Sequence, residues 1–333
     1  VNVADSTVDE ERELIVDAIA GADEFASALP SVDFYCSDRP SSPHLLLAEG
    51  LRRRTRRDPL IVYCAENHRN AAALLREAVE IHAAEEPADA NRLRGRARYV
   101  DTVIGKMSGV ITAEAEIRQH DLATMTSAIP AAFLVEEFDR ILVSRVGKGL
   151  HPGMPVLREV DDLAPFEDAK LLGHNATHAL AGFLGALLGL ELVADLRSVE
   201  GAMPFLRTAF LEESGATLRR RWAGADELFT EAGYEAFADD LLERMVNPWL
   251  ADTIERAGRD PRRKLGWEDR LVGLLRLGLD VGVPTPRYAM GVAAGLEILR
   301  RAGESGTDGE LLRSCWPDDA AADEAAAVLD VVS

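Results

Sequence analysis

The segment PLIVYCAEN, Pro59 to Asn67, decides the fold class. Its apolar run is unbroken, as expected of a strand covered on both faces within a parallel sheet. Leu45–Arg54 before it and Asn70–Glu80 after it carry helical spacing. Further upstream, VDFYCS (Val32–Ser37) reads as a second short strand, closed by the turn-like residues Asp38–Ser42. Glu10–Ala20 reads as a helix and Val1–Asp5 as a strand, while residues 132–144 (AFLVEEFDRILVS) read as a strand or two. Strands separated by helices of this length imply βαβ units, with the ligand at the carboxyl ends of the strands.

Beyond about residue 160 the pattern becomes helical almost throughout, in Phe166–Ala194, Met203–Arg221, Ala225–Met245, Trp249–Ala257, Trp267–Leu279, Tyr288–Ala302 and Ala320–Val332. The expected architecture is an α/β Rossmann-like domain over 1–155 and a mostly α-helical domain over 156–333. A dinucleotide fold ordinarily opens with strand, G-x-G-x-x-G turn and helix. That motif does not occur here, and the chain opens as though its first βαβ segment were missing.

Of the 333 residues, 57 are Asp or Glu and 37 are Lys or Arg, a net charge of −20. Such a surface argues against nucleic acid or an anionic membrane as the main partner, since both need a basic face. The longest apolar run, Ala179–Leu190, has 12 residues, too short to cross a bilayer. Three well-separated cysteines suit a reducing cytoplasm better than a disulfide scaffold. Only four residues are lysine, namely Lys106, Lys148, Lys170 and Lys264, so each is weighed individually.

Three segments carry chemistry. At the end of the central strand, Asn67 follows Glu66; it serves either as the cap of the next helix or as a hydrogen-bond donor to a reacting oxygen. In Lys170–His178 (KLLGHNATH), α-helical spacing puts Lys170, Asn175 and His178 within an arc of roughly 140°. A desolvated lysine can act as a general base near neutral pH, and an amide can hold a developing alkoxide. The alternatives are an ordinary solvent-facing helix entry, or a metal pair formed by His174 and His178 at i,i+4. The third segment, Arg244–Gly266, is basic in an acidic chain. It is either a solvated charge run or an anion site built from Arg256, Arg259, Arg263 and Lys264.

Together these segments resemble the mannitol dehydrogenase family of long-chain polyol and polyol-phosphate dehydrogenases, most of all its mannitol-1-phosphate 5-dehydrogenase branch. The resemblance rests on K-x4-N-x2-H at Lys170, Asn175 and His178, C-x-E-N at Cys64–Asn67, N-P-x3-D-T at Asn247–Thr253 and R-D-P-x-R-K-L at Arg259–Leu265. It runs from about residue 30 to 300, in matching order. It implies NAD-linked oxidation of a secondary alcohol without metal, with NADP as the alternative cofactor. By the resemblance Lys170 is the general acid/base, Asn67 and Asn175 form the oxyanion hole, and His178 orients the substrate. Ser37, Asp38, Glu66 and Asn67 are the expected cofactor contacts, and the last motif favours a hexitol phosphate as substrate. The expected partners are that small molecule and, at most, a second copy of the chain. Gly105 stands where the family carries an Asp, which leaves open a related dehydrogenase of a free polyol or sugar acid, and the absent glycine-rich turn leaves open a catalytically silent sugar-phosphate-binding homologue.

Overall fold

The computed structural model describes residues 2–37, 39–84, 93–106, 108–126, 129–136, 140–147 and 149–332. It divides into two compact units, Val1–Lys106 with Glu136–Ala164, and Met107–Val135 with Pro165–Ser333.

The first unit is built on a five-stranded sheet. Its strands are β1 (Glu24–Ser27), β2 (Leu60–Cys64), β3 (Ala97–Val103), β6 (Ile141–Ser144) and β7 (Leu157–Val160), in the spatial order β1-β2-β3-β6-β7. The helices α1 (Asp9–Gly21), α2 (Pro43–Arg53) and α3 (Ala71–Ala84) punctuate the first three strands. β1, β2 and β3 are parallel; β6 joins β3 antiparallel and β7 pairs parallel with β6. All five residues of β2 are buried, as the unbroken apolar run requires. Its side chains alternate between two cores. Leu60, Val62 and Cys64 pack with Leu47, Leu51, Leu75 and Val79 from the helices, while Ile61 and Tyr63 pack with Val100, Val143 and Leu157.

Two strand expectations fail. Residues 2–5 form no strand, and Val1 lies outside the described residues. Val32–Tyr35 is a 3-10 turn, because Tyr35 is drawn inward to donate its hydroxyl to the Glu66 carboxylate. The strand next to β2 is instead Glu24–Ser27, whose two acidic and polar ends hide it from a hydrophobicity pattern. β3 was also not evident, since its ARYVDTV carries charges at two positions.

The second unit begins with a small hairpin, β4 (Ser108–Ile111) and β5 (Ala132–Val135), with α4 (Glu114–Gln119) between its strands. The remainder is helical: α5 (Ala164–Asp168), a π-helical turn over Ala169–Asn175, and α6 (Ala176–Leu188) form one rod. α7 (Ala202–Thr208), a second π-helical stretch over Ala209–Gly215 and α8 (Ala216–Arg221) form another. Then follow α9 (Glu231–Met245), α10 (Ile254–Gly258), α11 (Pro261–Lys264), α12 (Val272–Val281), α13 (Pro286–Arg301), α14 (Asp308–Arg313) and α15 (Ala322–Val332). Leu180, Phe183, Phe210, Leu274, Tyr288 and Leu296 lie in one continuous core. Among the described residues no helix is long and apolar enough to cross a membrane.

Two close approaches set the position of the chemistry. A Cβ on Gly173 would lie 2.7 Å from the Tyr234 hydroxyl and 3.2 Å from Phe210, so only glycine lets the first π turn settle there. On α6, a Cβ on Gly182 would lie 2.6 Å from the Ala257 backbone. Gly182 therefore seats α10 directly against α6.

Candidate functional site

The residues from Lys170 to His178 span a change of helix type. Ala169–Asn175 is π-helical, with i→i+5 geometry, and Ala176 onward is α-helical. The 140° arc drawn on a uniform α-helix is thus corrected. Its hydrogen bonds reach i+5 and its turn is wider than an α-helical one, so Asn175 follows Lys170 by slightly more than one turn and lies nearer the same side, and His178 follows Asn175 at α-helical i+3. Wide turns of this kind recur at functional sites, where they re-aim a side chain without breaking the rod.

Lys170 is half-buried. Burial pushes its amine below the ordinary lysine value; Arg270 pushes the same way and Glu167 opposes. His174 points into the protein and is 8% exposed. Burial, with His178, Arg244, Lys170 and Arg270 nearby, pushes it down to about 3, so it is neutral at physiological pH. The half-buried Asn175 amide makes no hydrogen bond among the described residues.

His178 Nε2 lies 2.7 Å from Asp252 Oδ2, and Arg256 Nε donates to Asp252 Oδ1 at 2.7 Å. Those two donors outweigh burial and hold the Asp252 carboxyl down at about 2. Its backbone is pinned as well: Val193 N–H donates to the Asp252 carbonyl, and Leu192 and Thr253 form an antiparallel bridge. Thr253 accepts from Arg256 N–H and so caps α10. The alternative metal pair meets a competing use, because Asp252 already engages His178 Nε2. Among the described residues no group of three or more His, Cys, Asp or Glu side chains is placed to hold a metal ion.

Asp252 is the residue that sequence reasoning left without a role. It stands 74 positions from His178. Its one visible signal was its place in the N-P-x3-D-T block.

The basic segment is less open than its sequence suggests. Arg256 is committed to Asp252, and Arg263 pairs with Asp260 at 3.0 Å and Asp269 at 3.3 Å. Lys264 is 4% exposed, donates to the Ala257 carbonyl and lies 5.8 Å from the Phe183 ring centroid. Burial, with Arg270 and Arg263 nearby, brings its amine down to about 8. Arg259 is exposed at the end of α10 and makes no side-chain pair among the described residues.

In the first unit, Asn67 is exposed just past the carboxyl end of β2. Glu66 beside it is 4% exposed, and its oxygens accept from the Ser27 hydroxyl at 3.0 Å, Leu29 N–H at 2.9 Å and the Tyr35 hydroxyl. It ties the loops that follow β1 and β2 together. Ser37 is exposed and accepts from Arg39 N–H, and Asp38 lies outside the described residues. Gly105 is exposed after β3, and a Cβ there would meet open space.

Residues 162–327 match the mannitol dehydrogenase C-terminal domain. This match covers the π turn, the His178–Asp252 pair and the basic segment. The fold is similar to that of a D-sorbitol dehydrogenase in substrate-free form, with a TM-score of 0.70 and 19% identity over 86% of this chain. The chain spans 63% of that protein's length. It is also similar to Pseudomonas fluorescens mannitol 2-dehydrogenase in ternary complex with NAD and D-mannitol, with a TM-score of 0.64 and 18% identity, covering 96% of this chain and 73% of that one. A Rossmann-like α/β region followed by a helical region is the architecture shared with both.

Proposed function

We propose that the chain is a polyol dehydrogenase that oxidises a secondary alcohol with NAD. The observation that carries this reading is the wide turn, which brings a half-buried lysine, its amine pushed below the ordinary value by burial, toward a half-buried amide within the residues that match the mannitol dehydrogenase C-terminal domain. Division of labour follows the two regions, with cofactor held by residues 1–155 and substrate by 156–333.

The residues suit a nicotinamide dinucleotide. Parallel strands β1, β2 and β3 end on one edge, and exposed Ser37 and Asn67 carry hydrogen-bonding groups on the loops after the 3-10 turn and β2. Glu66 supports that edge through its bonds to Ser27, Leu29 and Tyr35 and stays among the expected cofactor contacts on the resemblance. NAD, when bound, supplies the hydride acceptor. Asp38 and NADP remain part of the reading on the resemblance alone.

Lys170 Nζ takes the hydroxyl proton. Hydride leaves an alkoxide far more readily than an alcohol, so this proton transfer comes with or before it. A lysine at its ordinary value of 10.5 is a poor base at pH 7, and the burial around Lys170 moves it the right way. The Asn175 NH₂ donates to the oxygen as negative charge develops and, being neutral, adds no charge that competes with Lys170. Asn67 is the second donor by the resemblance. His178 receives a neighbouring substrate hydroxyl.

A hexitol phosphate is the narrower form of the proposal, with Arg259 as the cation open to a phosphate and Arg256, Arg263 and Lys264 behind it. The ion pairs of Arg256 and Arg263 favour a second form, an unphosphorylated polyol. Following NADH formation from mannitol, sorbitol and their phosphates tests both. Activity is expected with at least one of them, and Lys170→Ala should lower kcat by about 10²- to 10⁴-fold while NAD still binds. Near wild-type kcat in that variant would remove the assignment.

A further inference from the structure

The buried carboxylate of Asp252 has a use that its bond lengths alone do not exhaust. We propose that Asp252 is a positioning residue, which fixes the His178 proton on Nε2 and leaves Nδ1 as a hydrogen-bond acceptor for a substrate hydroxyl. The proposal rests on the dehydrogenase reading.

Asp252 is ionised, so both of its oxygens can only accept. Oδ2 faces His178 Nε2 at 2.7 Å, and that nitrogen must therefore carry hydrogen. In a neutral imidazole the other nitrogen is then bare. Nδ1 makes no hydrogen bond among the described residues. A bare nitrogen beside the general base is suited to accept from a polyol hydroxyl next to the reacting carbon, and unsuited to a carbonyl oxygen. The neighbouring ring, His174, is 6.3 Å away centroid to centroid and does not compete for either nitrogen.

Arg256 makes the arrangement directional. Its Nε–H donates to Oδ1. In Asp252→Asn the amide oxygen must stay on Arg256, since an NH₂ cannot accept there. The amide NH₂ then takes the place of Oδ2 and donates to His178 Nε2. That requires the imidazole proton to move to Nδ1, which would then offer the substrate a donor where an acceptor is needed. The substitution preserves shape and reverses the hydrogen bond.

The test uses the full chain with ¹⁵N-labelled histidine at pH 8, its seven rings separated with the help of His178→Gln. Wild type should show His178 with hydrogen on Nε2 and a bare Nδ1; Asp252→Asn should show the reverse. In the same preparations kcat/KM for the polyol should fall by roughly 10- to 100-fold, the cost of one misdirected buried hydrogen bond, with most of the change in KM. A wild-type spectrum without a bare Nδ1 overturns the proposal whether or not the variant folds. An inverted tautomer with unchanged kcat/KM overturns the positioning role. If wild type oxidises no polyol, the positioning role falls along with the dehydrogenase reading, while the spectrum still decides whether Asp252 sets the tautomer.

Discussion

Two stretches of the helical unit concentrate chemistry, and the fold treats them in opposite ways. From Lys170 to His178 it gathers an amine, an amide and two imidazoles on a wide turn and makes positive charge costly there. Lys170 and His174 are both driven toward their neutral forms, chiefly by burial. From Arg256 to Lys264 it answers most of the basic side chains with partners, although burial pushes the Lys264 amine down here too. Arg256 meets Asp252, Arg263 meets Asp260 and Asp269, and Lys264 meets a backbone carbonyl and an aromatic face. The denser charge run in the sequence is therefore the one with less left to offer a ligand. A site is made where polar groups are held without being used up.

The sharpest way to break this contrast is at Asn175. If its amide holds the oxyanion, Asn175→Ala should lower kcat by about 10²- to 10³-fold, the range for loss of one preorganised donor. NAD affinity and thermal midpoint should stay near wild type, because the side chain makes no hydrogen bond among the described residues that folding would miss. Steady-state kinetics beside a melting curve checks it. A stability loss that accounts for the lost activity would place Asn175 in the scaffold.

Much of the fold is legible in the sequence, and less of the contrast between the two stretches. The unbroken LIVYC run predicted a buried parallel strand, and the 3.6-residue spacing after residue 160 predicted helices, because both patterns follow directly from which faces are covered. What escaped was whatever depends on a partner far along the chain. Tyr35 sits in a 3-10 turn because of Glu66, 31 residues away. His178 is set by Asp252, 74 residues away. The π turn escaped for a different reason. Its signal is one extra residue in a rod that otherwise keeps apolar periodicity, and Gly173 looks ordinary until Tyr234 and Phe210 are seen where its Cβ would be. The basic segment was legible as charge and illegible as ion pairs.

The second way to sharpen the contrast is the pH dependence of stability. His174 is pushed from the ordinary 6.5 down to about 3 when folded. Below pH 6.5 the unfolded chain takes up a proton that the folded chain refuses, so stability falls as pH falls and the loss ends near pH 3. Between pH 7 and pH 4.5 this amounts to roughly 2–3 kcal/mol, at about 1.4 kcal/mol per pH unit. Asp252 adds an acid-labile contribution of its own, present above its ordinary 3.8 and lost as pH falls toward about 2, so it lies outside that window. Urea unfolding across the series should show a shallower slope for His174→Gln than for wild type between pH 7 and 4.5. Equal slopes would mean that the ring is protonated in the folded state, and that burial does not disfavour cations there.

The smallest effect is expected in the other stretch, at Arg259 and Arg263. A phosphate arriving there would gain charge-assisted hydrogen bonds to Arg259, but Arg263 would have to exchange Asp260 and Asp269 for it. Exposed pairs of that kind are each worth about 0–1 kcal/mol, so the exchange nets little. The double variant Arg259→Gln with Arg263→Gln should therefore raise KM for a phosphorylated hexitol by about 5- to 10-fold, equivalent to about 1 kcal/mol. KM for the unphosphorylated polyol should change by less than about twofold, since its hydroxyls need no cation. The ratio of the two KM values, measured on one preparation, is the useful quantity because it cancels any general loss of active protein. A ratio that does not move assigns these arginines wholly to their carboxylate partners and selects the free polyol as substrate. A ratio that moves far beyond tenfold would mean that the ion pairs open when substrate arrives, and the contrast between the two stretches would then hold only for the unliganded chain.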